Sequence, residues 1–177
     1  MNKLIYILLF STFLISCAST TGYDAKVSKS DYSGKSVVDI HLHANDCNPL
    51  FNTQCASLGA QWREEQPDKA FIIVQVQGIS SVSGISFMID GEETVLKASH
   101  LTDINTSQYG SSSKNKFITD LSVIRDLSTA KKAYARISSA NGEYFENRIV
   151  DGEESGWSYH AMKRFIAKVD EVKGKGN

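Results

Sequence analysis

Two prolines and three cysteines in 177 residues are the first constraints on this chain. So little proline, with 41% hydrophobic residues, excludes a disordered body, though not loose ends. Charge of either sign is not in excess: 19 lysines and arginines face 20 acidic residues, and no basic block occurs apart from scattered lysines near the C-terminus. A nucleic-acid partner requires such a footprint, so that class is excluded. The nucleophile elbow, the phosphate-binding loop and the dinucleotide fingerprint are all missing.

What is present begins at the N-terminus. Lys3 supplies a positive charge, residues 4–13 form an apolar run broken only by Ser11 and Thr12, and the small residue Ser16 precedes Cys17. That order is the pattern of a secretory signal. The run falls short of the about 20 apolar residues of a spanning helix, and the polar stretch Ala18-Ser19-Thr20-Thr21-Gly22 follows at once. Leu14-Ile15-Ser16-Cys17 resembles the lipobox of bacterial lipoproteins. The resemblance covers the first 17 residues and implies that 1–16 is a cleaved signal peptide. It also implies a diacylglyceryl group on the Cys17 thiol and a fatty acid such as palmitate on the new amino terminus. Each buried methylene contributes about 0.8 kcal/mol to membrane attachment, so several chains anchor the protein stably. Ala18, standing where inner-membrane members carry Asp, resembles the outer-membrane sorting class, which implies an anchor in the outer membrane and a domain facing the periplasm.

With Cys17 assigned to lipid, Cys47 and Cys55 remain, and an exported protein meets an oxidising compartment. A Cys47–Cys55 disulfide is therefore expected, worth about 2.5 kcal/mol in the chain-entropy picture. Their separation lacks the short C-x-x-C spacing that brings two thiolates onto one zinc.

Residues 17–35 are rich in Ser, Thr, Gly, Asp and Lys without a sustained period and read as a flexible tether. From Ser36 to residue 173 the patterning predicts one α+β domain, mainly antiparallel sheet with β-hairpins, a short helix and a C-terminal amphipathic helix; residues 174–177 form a tail. Val38, Ile40 and Leu42 alternate with Asp39, His41 and His43, as in a half-buried strand. Residues 58–66 are ambiguous between strand and helix. Phe71, Ile72, Ile73 and Val74 run consecutively, which predicts a central strand covered on both faces. Asp90-Gly91 is a two-residue hairpin signal that places Ile85 opposite Leu96 and Phe87 opposite Thr94. Residues 99–115 read as a long polar loop. Leu121, Ile124 and Leu127 after Asp120 predict a short capped helix.

At Ala140-Asn141-Gly142 a three-residue loop with Gly142 left-handed sets Ile137 against Phe145, Arg136 against Glu146, Tyr134 against Arg148 and Ala133 against Ile149. The final helix repeats Trp157, Ala161, Phe165, Val169 and Val172 on one stripe. Trp157 and Phe165 assign that stripe to the core rather than to a membrane surface.

For chemistry, Asp39, His41 and His43 at spacing two would share one strand face and converge on a transition metal. The D-x-H-x-H pattern resembles the opening of metal-dependent amidohydrolases, which implies metal-dependent hydrolysis. That family, however, uses a (β/α)₈ barrel of about 250 residues, whereas this chain is shorter and shows no strand–helix repeat. His100 and His160 alone remain to complete a site. The acidic run at 151–154 lacks the alternating ligand spacing of a calcium loop. The primary expectation is a noncatalytic lipoprotein that presents a binding surface to an envelope protein partner, without a cofactor. A metal-binding or hydrolytic protein built on Asp39, His41 and His43 is the second. The third is an inhibitor of an envelope hydrolase, with residues 99–115 as the inserting segment.

Overall fold

In a computed structural model, residues 24–45, 56–78, 81–98, 102–107 and 110–175 are described. Cys17, Cys47, Cys55 and His100, and with them the lipidation and disulfide expectations, lie outside these residues. The chain forms an α+β fold of antiparallel strands and two helices. Six strands make one sheet in the order β1 (Lys26–Lys29), β2 (Ser36–Ala44), β3 (Ala56–Arg63), β4 (Lys69–Gln77), β8 (Gly110–Asp120), β7 (Asp103–Ser107). Five make the other, in the order β11 (Glu154–Ser155), β10 (Tyr144–Asp151), β9 (Lys132–Ser139), β5 (Val82–Ile89), β6 (Glu92–Lys97). Helix α1 spans Leu121–Thr129 and α2 spans Trp157–Lys175.

Alternation decides which faces meet. Val38, Ile40, Leu58, Trp62, Ile72, Val74 and Phe117 of the six-stranded sheet are buried in one cluster with Ile85, Phe87, Ala135 and Ile137 of the other. Helix α2 closes the remainder of that core by laying Ala161, Phe165 and Val169 over β2 and β3 and beside α1. Burying side chains of this size contributes about 1.5–3 kcal/mol each. Two asparagines stitch the sheets together. Asn115 Nδ2 donates to the Val82 carbonyl at 2.8 Å, and the Ala56 N–H donates to Asn147 Oδ1 at 2.8 Å.

The turns obey the expected chemistry. Asp90 (φ 48°) and Gly91 (φ 98°) are both left-handed, and Ile85 faces Leu96 while Phe87 faces Thr94. Gly142 is left-handed at φ 88°, Ile137 faces Phe145, Arg136 faces Glu146 and Tyr134 faces Arg148. Past Arg148 a bulge intervenes, so Ala133 faces Val150 instead of Ile149. The bulge lets the consecutive residues Ile149 and Val150 both be buried, which strict alternation forbids.

Other expectations are corrected. Residues 26–29, assigned to the tether, are edge strand β1, paired with β2 from Lys26–Asp39 to Lys29–Ser36. The supposed long loop at 99–115 contains β7 and half of β8, joined through the pairs Asp103–Lys114 to Ser107–Gly110. Its Ser and Asn side chains disguised an edge hairpin. Of residues 58–66, 58–63 resolve as strand, the end of β3, and 64–66 form the turn that follows it. Strand β4 is central, but only Ala70, Ile72, Val74 and Val76 are buried, and Phe71 and Ile73 are half-buried on the outer face. Asp120 precedes α1 without a side-chain capping bond. Its carboxylate takes Lys69 Nζ at 2.5 Å, and the Leu121 N–H finds the Asp68 carbonyl at 2.9 Å instead. Trp157 heads α2 but is 69% exposed, outside the core stripe. Gly174, assigned to the tail, lies within α2.

Candidate functional site

The expected metal triad is divided by one extra residue. Ile40 pairs with Ala60 and His43 with Leu58, so His41 and Leu42 together oppose the single residue Gly59. This bulge inverts the alternation: His43 joins Ile40 on the inner face, 4% exposed, while Asp39 stays outside and His41 is exposed. Asp39 accepts Gln61 Nε2 at 2.7 Å rather than sharing a site with the histidines. Among the described residues no group of three or more His, Cys, Asp and Glu side chains is placed to hold a metal ion. His160 lies on α2, where its Nε2 is 3.0 Å from Ser155 Oγ.

His43 is instead a buried link. Its Nδ1–H donates to the His41 carbonyl at 2.7 Å, which leaves Nε2 as the acceptor facing Arg164 Nη2 at 3.3 Å. Burial lowers its pKa from the ordinary histidine value, and the Arg164 and His41 charges add to the effect against the His41 carbonyl. Arg164 in turn reaches Asp24 at 3.4 Å, and Ser158 of the same helix donates to Asn45 at 2.5 Å. The end of β2, the start of the described chain and α2 are thereby fastened together.

The Ser155–His160 contact is a pairing that sequence spacing did not reveal, because the two residues straddle the start of α2. A nucleophile–base pair needs a third group that orients the base. None faces His160 among the described residues; Tyr159 touches its ring edge-on, with centroids 5.6 Å apart.

The surface best suited to binding is the outer face of the five-stranded sheet. Gly84 and Ser86 form a low floor along β5. On one side rise Tyr134 and Arg136 of β9 and Tyr144 and Glu146 of β10; on the other stand Glu93, Val95 and Lys97 of β6. A depression of about 310 Å³ lies over Ser86, Met88 and Tyr134, and a second of about 550 Å³ over Gly84, Val95 and Lys97. Ser86, Glu93 and Arg136 line both, so the two are lobes of one open trough.

The walls are held in place. Arg136 Nε donates to Glu146 at 2.8 Å and its guanidinium lies 5.0 Å from the Tyr144 ring centroid, a cation–π contact that presents a flat platform. Tyr134 Oη donates to Asp151 at 2.6 Å, and Lys132 sits 5.7 Å from the Tyr134 ring. The bond to Asp151 raises the Tyr134 pKa, so the phenol keeps its proton, and lowers that of the carboxylate. Arg148 pairs with Glu154. Val95 (60%) and Tyr144 (63%) remain open to solvent. These groups stack and hydrogen-bond. Alternation in β9 and β10 placed Tyr134, Arg136, Glu146 and Arg148 together on one solvent face, but the partner strand β5 that makes the trough required knowledge of the sheet order.

No family model, curated protein or solved structure matches this chain.

Proposed function

We propose that this chain is a bacterial lipoprotein whose globular domain is a noncatalytic binding module of the cell envelope. The observation that carries the anchor is Leu14-Ile15-Ser16-Cys17 directly after a charged and apolar leader. Export, cleavage before Cys17 and acylation there would hold the domain on the outer membrane, facing the periplasm. The Cys47–Cys55 disulfide belongs to the same reading, since that compartment is oxidising. For the domain, the trough over Gly84 and Ser86, with its Arg136–Tyr144 platform, supports recognition of an envelope protein partner. Rigid aromatic and arginine side chains of this kind dominate protein interfaces.

Two measurements test the reading. Radiolabelled palmitate should enter the wild-type protein and not Cys17→Ala, and label on the variant would refute the anchor. A photo-crosslinking residue at Val95 should give a discrete envelope adduct, whereas one at Ile118, on the outer face of the other sheet, should not. Equal labelling from both positions would refute the binding face.

A further inference from the structure

The apolar stripe of α2 expels one member. Trp157 is 69% exposed, although Phe165 two turns on is fully buried and Trp62 is only 1% exposed. Arg164 follows Trp157 by seven residues, which returns to the same side of the helix about 10.5 Å further along. It is Arg164 that pairs with Asp24 at the start of the described chain. Trp157 therefore stands on the side of α2 from which the tether leaves.

We propose that Trp157 rests in the headgroup region of the bilayer that carries the lipid anchor, and so fixes which side of the domain faces the membrane. This rests on the lipid-anchor reading. Six residues lie between Cys17 and Asp24, a span of about 25 Å at full extension, whereas a domain of about 150 residues is roughly 40 Å across. So short a tether keeps the Asp24–Arg164 side of the domain next to the membrane. An exposed tryptophan there has an amphipathic ring suited to the interface. No described helix is long and apolar enough to cross a membrane. Charge adds little. Lys168 pairs with Glu171, Lys163 sits over Tyr159, and Glu153 and Glu154 lie close to Trp157 in sequence.

The two tryptophans provide the test. Full-length lipidated protein is reconstituted into phosphatidylethanolamine–phosphatidylglycerol vesicles, with or without acyl chains brominated near the headgroup, and checked by flotation. Brominated lipid should quench the Trp157 share of the wild-type emission and leave Trp157→Phe, which retains only buried Trp62, unquenched. Floating protein with no difference in quenching between wild type and variant would overturn the proposal while leaving the anchor intact. Protein that does not float would overturn both.

Discussion

Gly59 fits beneath the Ile40 carbonyl: a Cβ at position 59 would lie 2.9 Å from that oxygen and 3.3 Å from both the His41 carbonyl carbon and the Leu42 nitrogen. All three atoms are backbone of the bulge that turns His43 inward, so they yield only if the strand moves. Gly59→Ala should cost about 1–3 kcal/mol, the usual range for overpacking a tight site. In urea the midpoint should fall with little change in slope. An unchanged midpoint would mean that the bulge relaxes freely.

Gly142 poses a purely conformational problem, because nothing lies within 4 Å of a Cβ placed there, yet its φ is 88°. Gly142→Val should destabilise by about 1 kcal/mol or more. Asn141→Ala should cost less. It loses only exposed contacts to Glu143, at 3.2 Å from the backbone N–H and 2.9 Å from the carboxylate. Equal losses in the two variants would contradict the turn assignment.

Stability should depend on pH through His43. Its folded-state pKa is lowered, chiefly by burial, so the unfolded chain takes up the proton first as the pH falls. The His43 contribution is complete above the unfolded value of about 6.5, declines from there to the folded-state pKa, and is constant below it. The carboxylates fall in another window: Glu171, lowered to about 2 by hydrogen bonds from Lys168 and Lys175, acts only below about pH 4.5. His43→Gln should abolish the slope just below pH 6.5 and keep the acid limb. Persistence of the upper slope in that variant would assign it elsewhere.

Thiol blocking tests the disulfide. The Asn45 N–H donates to the Ala56 carbonyl at 2.9 Å, so Cys47 and Cys55 follow and precede a closed stem by two residues and one. Alkylation of the folded, air-handled protein should require prior reduction at both positions. Free thiols without reductant would count against the pairing.

The local pattern of the chain carried much of the fold and little of the site. Most of the strands, the Asp90-Gly91 register, the Gly142 register as far as Tyr134–Arg148 and both helices were legible because period-two alternation, Asp90-Gly91, Gly142 and the Leu121–Ile124–Leu127 spacing are local signals. The His43 reversal was not, since a bulge is written in the close approach of Gly59 to another strand rather than in β2 itself. Likewise β7 and the first half of β8 hid behind Ser and Asn residues, because an edge hairpin need not be apolar. Trp157 was misplaced for a related reason. A 3.6-residue period identifies a stripe, but the reach of the core beneath it decides where burial stops.

The mass of the mature N-terminal peptide tests the lipid anchor most directly. Trypsin cuts after Lys26, so the first peptide of the protein recovered from envelopes should begin at Cys17 and comprise residues 17–26. It should carry the added mass of a diacylglyceryl group and a further acyl chain. A first peptide that retains Met1, or one in which Cys17 bears an unmodified thiol, would contradict the assignment.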